Sequence, residues 1–196
     1  MEPIILASSS PRRQDILKLL NIPFQVHPSQ IEEAYPSDVD TSQVALYVAA
    51  NKVKAVISSL PAGQEVQWIL GADTTIVLDG KIYGKPGSAE EAADFMHKFQ
   101  GRTHQAITGL VLYNGANHQS TQRCSVTDVT FAPMSEQEIE WYVSTGEWHG
   151  VAGGYRIQGL ASCFIKEIKG SESGVMGLPI FELYDIIKEQ NYSLLE

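Results

Sequence analysis

Ile4-Ile5-Leu6-Ala7-Ser8-Ser9-Ser10-Pro11-Arg12-Arg13 opens the chain with a strand that runs straight into a helix. Ile4 to Leu6 read as a short buried strand, Ser10 as an N-cap and Pro11 as the first helical residue. Arg12 and Arg13 then fall in the first turn. That end of a helix already carries partial positive charge and free N–H groups, so two added cations oppose the local electrostatics unless an anion sits among them. A phosphate suits the place: planar guanidinium donors match its oxygens in pairs, and small serines let backbone approach it. Against this stands a surface helix whose arginines splay into water.

Ile16, Leu17, Leu19 and Leu20 give the first helix an apolar stripe that ends near Asn21-Ile22-Pro23. Phe24 to Val26 reads as a strand. A loop from Tyr35 to Asp40 leads into a long helix from about Ser42 to Leu60, with Val44, Tyr47, Val48 and Val56 facing inward. Lys52 and Lys54, two apart, lie on different faces of it. Val66 to Leu70 reads as an apolar strand, and Ile76 to Leu78 pairs with Lys81 to Tyr83 across an Asp79-Gly80 turn. Gly71-Ala72-Asp73-Thr74-Thr75 lies between those strands. Capping boxes at Ser88/Glu91 and Ser135/Glu138 open two further helices. Gln105 to Tyr113, Arg123 to Phe131 and Ile157 to Ile168 read as strands, and Ile180 to Gln190 as a last helix. Strands and helices mix without strict alternation. The expected class is α/β, or mixed α+β: a mixed sheet flanked by helices, with a cleft.

The 196 residues, 43% of them hydrophobic, suffice for one compact domain, in two lobes at most. A formal charge of −9 disfavours binding to polymeric nucleic acid, whereas a positive pocket in an acidic shell suits a small anion. No apolar run approaches the length of a membrane span, and the N-terminus enters a strand at once, so a soluble, cytoplasmic protein is expected. Cys124 and Cys163 lie far apart without CxxC spacing and read as reduced core thiols. Walker A, GxGxxG, HExxH and GxSxG patterns are all missing, and the five histidines read as satisfied surface or core groups.

Several residues could carry chemistry. Asp73, flanked by small residues at the end of an apolar strand, could deprotonate a water or ligate a hard cation; an Asp bonded to its own turn is the plain alternative. Lys85, in Gly84-Lys85-Pro86, can reach back to the same cleft or sit in water. Glu32-Glu33 suits a divalent metal or a solvated edge. Gln158 offers an amide donor and acceptor that could pair with the imide edge of uracil or thymine, or with backbone.

The ordered set Ser8-x-Ser10-Pro11-Arg12-Arg13, Glu32-Glu33, Lys52, Gly71-Ala72-Asp73-Thr74, Gly84-Lys85-Pro86, Gly101-Arg102-Thr103-His104, Ile157-Gln158-Gly159 and Gly177-Leu178-Pro179 resembles the Maf family over nearly the whole chain, taken as a single domain of residues 1–196. The resemblance implies an elongated fold related to inosine triphosphate pyrophosphatases and a homodimer. It also implies metal-dependent hydrolysis of nucleoside triphosphates to a monophosphate and pyrophosphate. Arg12, Thr74 and Gln158 stand where the branch acting on dTTP and UTP carries its specificity residues; the branch acting on 7-methyl-GTP has Trp, Gln and Glu there. By the same carry-over Asp73 is the proton acceptor. Ser8, Arg13, Lys52 and Lys85 hold phosphates, and Glu33 with Asp73 holds Mg²⁺ or Mn²⁺. Val151 and Arg156 depart from the branch, which commonly has Lys and often Gly at those points. The competing expectations are a pyrophosphatase for 7-methyl-GTP or another modified nucleotide, and a non-catalytic, nucleotide-binding inhibitor of septum formation.

Overall fold

The computed structural model describes residues 2–31, 33–61 and 68–194. Its first strand, β1 (Ile4–Leu6), feeds helix α1 (Pro11–Leu19) through Ala7 to Ser10, and strand β2 (Phe24–Val26) returns parallel to β1. Asp40 caps α2 (Thr41–Ser59) by accepting from the Ser42 amide. There follow β3 (Trp68–Leu78), β4 (Lys81–Tyr83), α3 (Ala89–Phe99), β5 (Thr103–Asn114) and β6 (Gln119–Phe131). The chain then forms α4 (Glu136–Ser144), β7 (Ile165–Lys169), α5 (Glu172–Met176) and α6 (Ile180–Glu189). The sheet runs β2-β1-β3-β5-β6-β7, with β4 also on β3. β1 is parallel to both of its neighbours and the other pairings are antiparallel, so the sheet is mixed and flanked by helices, as expected.

One edge of β3 decides where a ligand can go. β5 pairs with β3 from Trp68 to Val77, so β1 and β4 must share the opposite edge. β1 reaches only Leu70 and β4 begins only at Ile76. Between them, Gly71 to Thr75 have a ladder on one side alone. Because successive side chains of a strand point to opposite faces, this gap exposes Asp73 on one face and Thr74 on the other to a single opening.

Two glycines let α2 lie close over that gap. A Cβ on Gly71 would stand 2.5 Å from the Ala49 carbonyl oxygen, and one on Gly109 would stand 2.4 Å from Leu46 Cα. Gly109 is the cross-strand partner of Asp73. Close packing there carries Lys52, about one turn beyond Ala49 and two beyond Leu46, down onto the carboxylate. A methyl group at Gly109 meets backbone and cannot turn aside, so Gly109→Ala should cost about 1–3 kcal/mol. It should also lower turnover by shifting Lys52, read as paired losses in denaturant midpoint and in kcat.

Apolar side chains gather in two larger cores along the sheet, with two smaller clusters under α2. One packs Leu6, Leu17, Leu70, Leu112, Leu183 and Ile187 between β1, β3, β5, α1 and α6. The other packs Met96, Phe99, Phe131, Tyr142 and Phe164 beneath α3 and α4.

Several expectations need correction. Gly71 to Thr75 is no break between strands but the middle of one eleven-residue strand, so Asp73 sits inside β3 and not at a strand end. Val66, like Glu32 of the acidic pair, lies outside the described residues. Ile157 to Ile168 is not a strand throughout: Leu160–Phe164 is a 3-10 turn, and only Ile165 onward pairs with β6. Tyr47 is 38% exposed, because the buried stripe of α2 runs through Val44, Ala45, Val48, Ala49, Lys52, Val53 and Val56 and leaves it at the margin. Cys124 and Cys163 are free thiols but exposed, the first on an outward position of β6 and the second on the 3-10 turn.

His104 is the one buried histidine among the described residues. Its Nε2 lies 2.7 Å from the Tyr155 hydroxyl and its ring stacks on Phe99, while Nδ1 is buried with no partner, so the expectation of satisfied histidines fails for that atom. Burial lowers its pKa to about 4. Between about pH 6.5 and 4 the unfolded chain takes a proton that the folded one refuses, so stability falls as pH falls through that window. The loss amounts to roughly 3 kcal/mol. Replacing His104 by Gln should flatten that part of the pH dependence, seen as a smaller drop in urea midpoint between neutral and acid buffers.

Candidate active site

A cavity of about 520 Å³ opens over the uncovered edge of β3, within the range of sites that hold small ligands. Ser8, Arg12, Arg13, Glu33, Lys52, Asp73, Thr74 and Lys85 all line it. The sequence places these eight on five separate segments, and the fold brings them together. Gln158 is exposed and is not part of the lining.

The junction of β1 and α1 supplies the positive end. Ser10 is the N-cap residue and Pro11 occupies the first turn, but Ser10 makes no side-chain cap and the first turn holds no acidic residue. Arg13 turns back into the protein, where it is 8% exposed. Its Nε donates to the Gly177 carbonyl at 2.8 Å and its Nη1 to Ser8 Oγ at 2.8 Å. Neither acceptor is charged, so the two bonds fix the guanidinium without neutralising it. Burial pulls its pKa down, partly offset by the charges of Asp73 and Glu33. Arg12 is half-buried, donates to no carboxylate among the described residues, and has its pKa lowered by burial and then by repulsion from Arg13 and Arg156. Such a guanidinium gains from any anion that enters.

The acid-base end lies on α2 and β3. Lys52 is 6% exposed and its Nζ bridges two carboxylates, Asp73 Oδ1 at 2.6 Å and Glu33 Oε1 at 2.7 Å. Lys85, carried on the loop after β4, holds Glu33 Oε2 at 3.2 Å. These pairs set two carboxylates apart. Burial pushes Asp73 up, and the charges of Lys52 and Arg13 recover only part of the shift, so its pKa stays above the ordinary aspartate value. Burial also acts on Glu33, but there two lysines outweigh it and hold the carboxyl at about 2. Asp73 is thus the more basic of the two and Glu33 a fixed negative charge, a division seen where one carboxylate handles protons and its neighbour does not.

The same two carboxylates are the candidates for holding a cation. Among the described residues no cluster of three His, Cys, Asp or Glu side chains exists. Mg²⁺ needs no such cage when phosphates and waters complete its shell, and one or two carboxylates suffice. Glu33 and Asp73 already meet on a single ammonium nitrogen, so they can meet on a cation in its neighbourhood. The donor set fits.

Three participants were not singled out as actors by the sequence. The Gly177 carbonyl anchors Arg13. Tyr155 lines the cavity while its hydroxyl is held by His104. Thr108, fully buried beside Thr74, bonds its hydroxyl at 2.8 Å. The carbonyl anchor depends on where α5 ends and the facing threonines on strand register, which single positions do not announce. No helix among the described residues is long and apolar enough to cross a membrane.

Comparison with known proteins agrees with this construction. The family model described as "Maf-like protein" matches residues 3–190. A dTTP/UTP pyrophosphatase of Pelotomaculum thermopropionicum is 38% identical over 195 residues, covering all of both chains. One of Desulforamulus reducens is 40% identical over 188 residues, 96% of each chain, and one of Pyrococcus furiosus is 37% identical over 188 residues, 96% of this chain and 95% of its own. Among solved structures, the Staphylococcus aureus Ham1 protein aligns with 67% of this chain and 72% of its own at 13% identity and a TM-score of 0.42. A family match that runs almost from end to end, with full-length relatives at this level of identity, establishes that the chain belongs to the Maf family.

Proposed function

We propose that this chain hydrolyses dTTP and UTP to the nucleoside monophosphate and pyrophosphate. The observation that carries the reading is Asp73: a carboxylate made more basic by burial, in the wall of a cavity that also holds a pair of arginines with no carboxylate bonded to them among the described residues. Water attacks the α-phosphorus, the bond to the bridging oxygen of the β-phosphate breaks, and Asp73 takes the proton of the attacking water. Arg12, Arg13, Lys52 and Lys85 stabilise charge that moves onto the departing pyrophosphate. Ser8 keeps Arg13 in place. A divalent cation such as Mg²⁺ or Mn²⁺, held by Glu33 and Asp73, would supply charge neutralisation at the phosphate oxygens. Thr74 lines the wall and takes part in choosing the base, with Gln158 another specificity residue that the family resemblance implies. The names of the full-length relatives support the pyrimidine substrates.

On this reading residues 1–196 form one catalytic domain working in the cytoplasm, where the triphosphate pool lies, and the net charge of −9 argues against polymeric nucleic acid as a partner. A homodimer fits the family, and Leu19 and Phe181, 71% and 77% exposed, offer apolar surface for such a contact. The deciding experiment is a metal-dependent assay over UTP, dTTP, CTP and 7-methyl-GTP that separates pyrophosphate from orthophosphate. Pyrophosphate released fastest from UTP and dTTP is the expected result. Preference for 7-methyl-GTP, or nucleotide binding without hydrolysis, would overturn it.

A further inference from the structure

We infer that Thr108 fixes the hydroxyl of Thr74 as a pure hydrogen-bond acceptor, so that the cavity selects a substrate presenting an N–H or O–H donor at that point. The inference rests on the proposed pyrophosphatase reading for the identity of the substrate, but the polarity follows from three bonded groups alone. Thr108 Oγ1 lies 2.8 Å from the Gly174 carbonyl oxygen, and a carbonyl can only accept. A hydroxyl has one proton, so that of Thr108 is committed to Gly174. Thr108 Oγ1 also lies 2.8 Å from Thr74 Oγ1, and this second bond can therefore be made only with the proton of Thr74. Thr74 is left with lone pairs and no hydrogen to offer.

Thr108 is 0% exposed, clamped between β3 and α5 by the register Thr74↔Thr108, so water cannot relieve this arrangement. Thr74 is half-buried and faces the cavity. An ionised phosphate oxygen carries no donor and would meet lone pairs there, so Thr74 does not bind phosphate. What satisfies it is a donor of the base or the sugar. Uracil and thymine present a ring N–H where cytosine presents a lone pair, and a ribonucleotide presents a 2′-hydroxyl that a deoxynucleotide lacks. A site whose acceptor is unpaired loses far more than one whose apolar wall is merely ill fitted. Thr108 is in this sense a positioning residue acting through Thr74.

The test measures kcat/KM for UTP, CTP and dUTP in the wild type and in Thr108→Ser, Thr108→Val and Thr74→Val. Thr108→Ser keeps the hydroxyl relay and should keep the wild-type ratios. Thr108→Val frees the Thr74 proton to turn inward and should bring one ratio at least tenfold closer to unity: UTP over CTP if the donor is the ring N–H, UTP over dUTP if it is the sugar hydroxyl. Thr74→Val removes the acceptor itself, survives independently of any packing defect at Thr108, and should collapse the same ratio. A uniform fall in rate with both ratios unchanged in the two valine variants would overturn the inference. Calorimetric binding of UMP and CMP to the same proteins reads the polarity without turnover, so failure of the pyrophosphatase reading would be seen separately, as no pyrophosphate from any triphosphate.

Discussion

Asp73→Asn should abolish nearly all turnover, by about 10²–10⁴-fold in kcat, while the protein remains folded. The amide replaces one carboxylate oxygen by a group that cannot take a proton, but it keeps an oxygen to accept from Lys52 at the position of Oδ1. Folding loses less than it would without Lys52, because Glu33 Oε1 stays 2.7 Å from Lys52 Nζ and keeps that ammonium paired with a charge. Burial raises the pKa of Asp73, and a group whose folded pKa is raised favours the folded state only below its unfolded pKa, an advantage that disappears as pH climbs through the folded value. At neutral pH the ionised carboxylate is therefore a cost to stability, and Asn relieves part of it. The thermal midpoint of the variant should match the wild type or exceed it. Pyrophosphate release at saturating UTP, measured beside circular dichroism melting, checks both halves. Retained wild-type kcat would remove Asp73 from the role of base. The wild-type profile carries its own signature: kcat/KM should fall on the acid side at a pH above the ordinary aspartate range.

Much of this site was legible in the chain because its parts are locally encoded. The absence of any acid after Ser10 in a first turn holding Arg12 and Arg13 marks an anion site without reference to the rest of the fold, and the cavity does lie there. The Asp79-Gly80 hairpin likewise fixes the register Ile76↔Tyr83 by turn chemistry alone. What escaped is what depends on partners distant in sequence. Gly71-Ala72-Asp73-Thr74-Thr75 has the small polar residues of a loop, yet β5 lies alongside it residue by residue and holds it as strand. Its small side chains serve α2, which could not approach over larger ones. Ile157 to Ile168 is rich in apolar residues, but Gly159 leads into a 3-10 turn whose Phe164 fills the second core, so burial there requires no ladder. The relay from Thr74 through Thr108 to Gly174 spans three elements, and no spacing within one of them could reveal it.

Lys52→Met should hurt both the fold and the reaction, and acid should reverse only the first effect. Lys52 and Asp73 have side chains 7% and 11% exposed, and removing one member of a buried pair leaves the other charge uncompensated. The cost at neutral pH is about 3–5 kcal/mol by comparison with other broken buried pairs. Glu33 contributes less to that sum, since 45% of its side chain is in water and Lys85 still holds it. Without the ammonium, Asp73 faces Glu33 directly and loses the largest influence that had lowered its pKa. It should rise further above its unfolded value, so protonation in the folded state becomes easier. Stability relative to the wild type is then recovered as pH falls through the new folded pKa, the opposite slope to that of a salt-bridged carboxylate. Activity moves the other way, because a protonated Asp73 cannot accept the proton of water, and the acid limb of kcat/KM should shift to higher pH. Urea denaturation and kcat/KM for UTP, each followed from pH 5 to 8, separate the two. A variant equally destabilised at every pH, with its acid limb unmoved, would show that Lys52 serves only to bind phosphate and has no part in setting the basicity of Asp73.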